Sequence, residues 1–335
     1  MTTDPFVDAL GAHRPELLRH CYRMLGSFHD AEEIVQDVLL KAWKARASYA
    51  GAAPLRHWLM RIATNACLNA RRADRARLLP SRVAAASPAT DAIGVPGDPD
   101  TWVTAAPDDA LLGDAPADAA GILALRQSVA LAFVGLLQTL PARQRAVLLL
   151  KDVVDFSVEE IAEALDLSTA AVSSALHRAR AAMPAATLAD DREPSPEALH
   201  AYIRCWEQRD LEGLVALLRS DVVLSMPPWP IWFEGLAAVR HFFTSPGFAG
   251  RFWASGLRVV PTRANGVQAV LFYRDRGTVL HSVQLLRYDG ARFTELTNFI
   301  GPGFLHGFEK SHASTERFAE ALVSWRSEVP DARHE

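Results

Sequence analysis

Between Arg56 and Arg77 stand six arginines (56, 61, 71, 72, 75 and 77), together with Trp58, Asn65 and Asn69, against a single acid, Asp74. Guanidinium groups suit phosphate, an indole ring suits stacking, and amides suit the edges of bases, so the set has the chemistry of a nucleic-acid contact. It also fits an ordinary bundle helix with a solvated basic face, and the stretch alone does not choose between the two. Either way a helix must carry it, because Leu55, Trp58, Leu59, Ile62, Ala63, Ala66 and Leu68 recur at helical spacing. Trp58 belongs to that apolar stripe as well, so burial rivals stacking there.

A helix is also predicted over Asp30–Lys44 (DAEEIVQDVLLKAWK), with Asp30 as N-cap and Glu33 completing a capping box. Ile34, Val35, Val38, Leu39, Ala42 and Trp43 form its apolar face, leaving Asp30, Glu33, Gln36, Asp37 and Lys41 on the polar one. Residues 5–28 read as a helix pair, with Gly26 breaking before the helix that starts at Asp30, and Ser48–Pro54 (SYAGAAP) as a small-residue loop carrying Tyr49. Farther along, Leu125 to Leu140 reads as one helix ended by Pro141, followed by Arg143–Val154. Phe156–Met183 then has the signature of a helix-turn-helix. Ser157 caps the first helix with Glu160 at the box position, Asp166–Ser168 turn, and Ser168 caps the second. Val172, Leu176 and Ala179 take the core side of that second helix, which leaves Thr169, Ser173, Ser174, His177 and Arg178 to face DNA, with Arg180 nearby.

The runs DAEEIVQDVLLKAW and LRHWLMRIATNACLNARR resemble region 2 of the sigma-70 class of bacterial RNA polymerase initiation factors, in particular the extracytoplasmic-function (ECF) group. The helix-turn-helix preceded by LPARQRAVLLL resembles region 4. The resemblance implies that Asp30, Glu33, Gln36, Asp37 and Lys41 dock on core polymerase. It implies that Tyr49, Arg56, Trp58, Arg61, Asn65, Asn69 and Arg72 bind and melt the −10 element. Thr169, Ser173, Ser174, His177 and Arg178 would then read the −35 element. Many relatives carry Lys or Arg where this chain has Ser173, so its recognition helix is lightly charged and should bind DNA weakly by itself.

Residues 78–121 hold one basic residue, Arg82, and seven aspartates (91, 98, 100, 108, 109, 114 and 118). They read as an acidic linker, with Trp102 marking a docked patch in Thr101–Leu112. After a short polar segment the composition changes again. Two amphipathic helices, a Pro-Trp-Pro turn, a helix over Leu236–Phe243 and four β-type runs predict an α+β cone with a curved antiparallel sheet. A last helix is read at Phe318–Trp325. DVVLSMPP and WFEGLAAVRHFF resemble the SnoaL-like branch of the NTF2-like superfamily, which includes polyketide cyclases and isomerases. That resemblance offers Trp206, Trp232, Tyr273, His281 and Asn298 as lining of a possible small-ligand pocket. His281 lacks an Asp at a matching strand position, which argues against catalysis.

The expected architecture is therefore multidomain: two all-α sigma domains, regions 2 and 4, then an α+β SnoaL/NTF2-like cone. Its divisions fall at 1–78 (region 2), 79–121 (linker), 122–184 (region 4) and 195–335. A chain of 335 residues accommodates this, and a net charge of −4 argues against indiscriminate coating of nucleic acid. Three separated cysteines, Cys21, Cys67 and Cys205, form no CxxC pair, so neither a zinc site nor any cofactor is expected. No signal pattern or apolar span is read, placing the protein in the cytoplasm as a free monomer. Its expected partners are core RNA polymerase and promoter DNA, not a membrane. A ligand-responsive helix-turn-helix regulator acting without polymerase is the alternative; it has no need of the 30–44 helix or of the linker.

Overall fold

The computed structural model describes residues 5–49, 51, 54–70, 76–83, 85–88, 94–113, 118–183, 192–246, 248 and 256–309. Arg72 and the helix expected over Phe318–Trp325 lie outside them. The first unit comprises α1 (Pro5–Ala12), α2 (Arg14–Leu25), α3 (Phe28–Lys44) and α4 (Leu55–Asn69). Gly26 ends α2 in the left-handed region (φ 69°), and its N–H returns to Tyr22 O at 2.7 Å. A Cβ at this position would stand 2.9 Å from the Gln138 side chain, so this close approach also requires glycine.

The start of α3 corrects the sequence reading. Ser27, not Asp30, is the N-cap, its hydroxyl accepting from Asp30 N at 3.2 Å. With the cap supplied by Ser27, the Asp30 carboxylate is free to meet Arg77, whose Nη2 lies 2.8 Å away, and both side chains are buried.

The linker is docked on its neighbours. It contains α5 (Pro80–Val83) and α6 (Asp108–Leu111), and Leu78 pairs in parallel with Trp102. Trp102 is buried, as the docked-patch reading expects.

Then follow α7 (Ala119–Val129), α8 (Leu131–Leu137), α9 (Ala142–Asp152), α10 (Val158–Leu165) and α11 (Thr169–Ala182). The single helix expected over 125–140 is two, bent by 51° at Ala130. At the break Ser128 O accepts from Arg23 Nε and Val129 O from Asn265 Nδ2, so side chains from α2 and from the distant C-terminal domain satisfy carbonyls at this helix end. The helix-turn-helix follows its reading: Ser157 and Glu160 form a complete capping box, and Ser168 caps α11.

The C-terminal domain has α12 (Pro196–Gln208), α13 (Leu211–Ala216), β1 (Leu218–Ser225), β2 (Trp232–Glu234), α14 (Leu236–Thr244), β3 (Arg258–Ala264), β4 (Val267–Arg274), β5 (Val279–Tyr288) and β6 (Phe293–Ile300). The sheet order is β2-β1-β6-β5-β4-β3. It is mixed, because β1 pairs with β6 in parallel while the other neighbours are antiparallel.

Three apolar clusters hold these parts together. One runs through both helical units without a break, from Leu17, Tyr22 and Val35 to Leu137, Leu149 and Val172. A second fills the concave side of the sheet with Tyr202, Trp206, Phe233, Phe242, Phe243, Phe272 and Phe293. The third lies on the opposite face, where Leu271, Tyr273, Val283 and Phe299 pack against Trp102 and Ala105 of the linker and against Phe304 and Phe308. Both faces of the sheet are thus covered. Among the described residues no single helix is long and apolar enough to cross a membrane.

Candidate nucleic-acid interface

Helix α4 turns one face towards its own core and another towards α10. Leu59, Met60, Ala63 and Cys67 are buried. Trp58 is half-buried against the core, its ring 5.1 Å from that of Tyr49, which in turn lies 6.3 Å from Phe6. The structure therefore brings together the two aromatic rings expected at the −10 element. On the second face Arg56 donates to Glu16 on α2 and to Val154 O at 3.1 Å, and Arg61 Nη1 stands 3.8 Å from Glu163. Asn65 Nδ2 donates to Ala164 O at 3.0 Å. Asn69 is exposed.

His57 belongs to this face and was missed in the sequence. Its Nδ1 lies 3.0 Å from Glu160 Oε1, and its ring packs on Phe156 with centroids 4.3 Å apart. The signal was available: positions 57, 61 and 65 follow the i, i+4, i+8 spacing of one helix face. The Ser157 backbone N–H, with His57 adding to it, holds the Glu160 carboxyl below its ordinary range.

Helix α11 is the reverse case. Val172, Ala175, Leu176 and Ala179 are buried, and Thr169, Ser173, Ser174, His177 and Arg178 are all exposed on the outer side. Arg178 Nη1 donates to Ser174 Oγ at 2.5 Å. Arg180 is tied to Asp152 by bonds of 3.1 and 2.5 Å, which offsets its charge.

On α3, Glu33, Gln36, Asp37 and Lys41 are exposed, and Leu40 and Trp43 stand out at 50% and 41% exposure. Asp30 is not on this surface, being buried behind Arg77. Glu32 faces the C-terminal domain, 2.7 Å from His306 Nε2 and 2.9 Å from Arg14. Burial raises its pKa, but the bonds from His306 and Arg14 outweigh this and the net shift is downward.

The residues offered as a pocket in the C-terminal domain do not converge. Trp206 sits inside the concave core, edge-on to Phe243 and Phe272 with centroids 5.4 and 5.1 Å apart. Asn298 pairs in register with Gln284, whose Oε1 accepts from Tyr202, so it lies on that same concave side. Its Oδ1 is buried with no protein partner. Tyr273 packs on the opposite face of the sheet. His281 is the extra residue of a bulge in β5, between Ser282 opposite Phe272 and Leu280 opposite Tyr273. Burial, with Arg274 nearby, lowers its pKa to about 4. Trp232, at the far edge on β2, accepts a backbone bond at its carbonyl from Ser87 N of the linker. Aromatic side chains pack together on the face that carries Trp206. Among the described residues no group of three or more His, Cys, Asp or Glu side chains is placed to hold a metal.

The C-terminal domain instead presents a turn to the helical units. Asn265, buried in the left-handed region at φ 52°, heads the β3–β4 turn. Its Oδ1 accepts from Ala106 N at 2.9 Å, and its Nδ2 donates to Tyr22 Oη at 2.7 Å and Val129 O at 2.8 Å. Asp108 accepts from Gly266 N at 2.8 Å and pairs with Arg263 at 3.3 Å. One turn thus touches α2, the linker and the end of α7.

Comparison with known proteins gives three matches along the chain. Residues 10–77 match Sigma-70 region 2, residues 130–183 match Sigma-70, region 4, and residues 199–300 match the SnoaL-like domain. The chain is 41% identical over 284 residues to the ECF RNA polymerase sigma factor SigG of Mycobacterium tuberculosis, covering 82% of this chain and 74% of that protein. It is 28% identical over 181 residues to the ECF RNA polymerase sigma factor SigW of Bacillus subtilis, covering 54% and 87%. The crystal structure of the Mycobacterium tuberculosis extracytoplasmic function sigma factor SigJ shares the fold, with a TM-score of 0.55 at 20% identity over 90% of this chain and 98% of that one.

Proposed function

The chain belongs to the ECF RNA polymerase sigma factors, with two helical sigma domains followed by a sheet-containing SnoaL-like domain, and from that premise we propose how its parts divide the work. Region 2 docks on core polymerase through the exposed side of α3: Glu33, Gln36, Asp37 and Lys41, with Leu40 and Trp43 as apolar anchors. Asp30 serves this surface indirectly, by fixing Arg77 beneath α3. The −10 element is bound by Tyr49, Arg56, Trp58, Arg61, Asn65 and Asn69, joined by His57. Arg72 follows α4 in sequence and is assigned on the resemblance alone. Melting needs no covalent chemistry: bases bound more tightly when flipped than when paired shift the duplex equilibrium. The −35 element is read by Thr169, Ser173, Ser174, His177 and Arg178 in the major groove.

The observation that carries this reading is a recognition helix whose five candidate readers all face solvent, in a chain that also carries a basic α4. A regulator acting without polymerase is not favoured, because the relatives are sigma factors and region 2 has no role in such a protein.

We assign the SnoaL-like domain a modulating role exerted by docking. In support, its Asn265 turn binds α2, the linker and α7 at once, while its cone is filled and its expected pocket residues lie apart. Run-off transcription with bacterial core polymerase on a promoter library tests both parts. The full chain should give specific transcripts, and a chain ending at Glu193 should change their yield. Duplex binding by the protein without any transcript would return the repressor reading, and equal yields from both chains would remove the modulating role.

A further inference from the structure

The α4 face assigned to the −10 element is occupied by region 4 itself. Three members of the stripe, His57, Arg61 and Asn65, meet Glu160, Glu163 and the Ala164 carbonyl on α10. Arg56 adds a bond to Val154 O at the end of α9. Every group that α10 and α9 offer here is an acceptor or an anion, and every group on α4 is a donor or, for His57, a ring nitrogen facing a carboxylate. Phosphate oxygens and the acceptor edges of bases present the same chemistry. The acids also cluster: VEEIAEAL carries Glu159, Glu160 and Glu163, and Asp166 follows it.

We infer that the acidic edge of α10 is a built-in stand-in for promoter DNA, masking the −10 face of α4 until the two regions separate. This inference rests on the assignment of α4 to the −10 element. It gives the first helix of the helix-turn-helix a second task, independent of −35 reading by α11. Because two of the masking groups are partly exposed carboxylates at 3.0 and 3.8 Å, whose hold is mainly electrostatic, promoter DNA held on the polymerase can displace them.

The test compares two pairs of substitutions in the full-length protein. Glu160→Gln with Glu163→Gln removes the masking charges, and glutamine preserves the capping box with Ser157. Glu159→Gln with Asp166→Asn removes the same charge from the same helix-turn-helix at positions not paired with α4, and asparagine tolerates the left-handed backbone of residue 166. Binding of a short fluorescein-labelled oligothymidine is followed by anisotropy across a salt series, in the native background and with Asn265→Gly. The first pair should bind more tightly, and its logarithmic salt dependence should steepen by roughly 0.7, for the one additional phosphate that Arg61 neutralises. The second pair should leave the slope unchanged. If both pairs behave alike in both backgrounds, the masking role is wrong. Transcription by the native chain with core polymerase judges the sigma reading separately, so either can fail without the other.

Discussion

Arg145 shows what a single side chain can do that its neighbours in sequence do not reveal. Buried between regions, it donates to Leu137 O, Gln138 Oε1, Gln138 O, Leu140 O and Met24 O, so one guanidinium closes the α8–α9 turn and fastens it to α2. Burial lowers its pKa to about 10, which leaves it charged at neutral pH. The RQR run was legible as part of region 4, but not this clasp, because four of its five acceptors are backbone carbonyls that carry no residue-type signal. His20 makes a comparable tie inside region 2. Thr64 donates its hydroxyl proton to Met60 O at 2.7 Å, so His20 must donate from Nε2 across 2.9 Å, leaving Nδ1 buried and without a partner. Burial, helped by Arg23, lowers its pKa from 6.5 to about 3. The folded state therefore keeps His20 neutral where the unfolded chain takes up a proton. Its contribution to stability is present above pH 6.5 and is lost as the pH falls from there towards about 3. His20→Gln should flatten the fall of unfolding free energy over that range by up to about 1.4 kcal/mol per pH unit. Urea titrations at a series of pH values read this directly, and identical slopes for the two proteins would refute it.

At the scale of elements, local signals were readable and remote ones were not. The capping box of α10 and the Ser168 cap of α11 are written within four residues, and both formed. The start of α3 was misplaced because Ser27 and Asp30 are both competent caps, and the choice depends on Arg77, far along the chain. The partner of the Val129 carbonyl at the break between α7 and α8 is Asn265, more than a hundred residues away and so not readable locally. Strands were recognisable from their composition, but the parallel pairing of β1 with β6 comes from chain topology. The expected pocket residues are divided between the two faces, Trp206 and Asn298 on one and Tyr273 on the other, because neighbouring side chains alternate along a strand. The concave face is a packed aromatic core, with Phe233 stacked on Phe242 at 5.0 Å and Trp206 against Phe243 and Phe272. Trp206→Ala should then cost about 3–5 kcal/mol, the range for emptying a filled aromatic site. The midpoint of β-sheet loss in urea measures it; a cost near zero would mean the cone had room for a ligand after all.

For the whole molecule, the sheet's outer face and edge hold the linker in one path. Ser87 N bonds to Trp232 O at 2.7 Å, Gly97 N to Pro228 O at 2.9 Å, and Trp102 and Ala105 pack on the sheet. The Asn265 turn then joins this assembly to α2 and α7. Asn265→Gly deletes the side chain while suiting the φ of 52° at that position, so its effect isolates the hydrogen bonds from backbone strain. The Ala106 N–H and the Val129 carbonyl lose their Asn265 side-chain partners, a cost of about 1–3 kcal/mol for each group left buried and unsatisfied. Because the docked state is the one that meets this cost, release of the linker becomes easier by the same amount. Limited proteolysis with thermolysin should therefore cut residues 94–113 faster in the variant, while α9 to α11, whose core does not include the turn, stay protected. Unchanged cutting would mean that the apolar contacts of Trp102 and Ala105 hold the linker without help from the turn. The SnoaL-like domain would then act on the sigma regions through the sheet face alone.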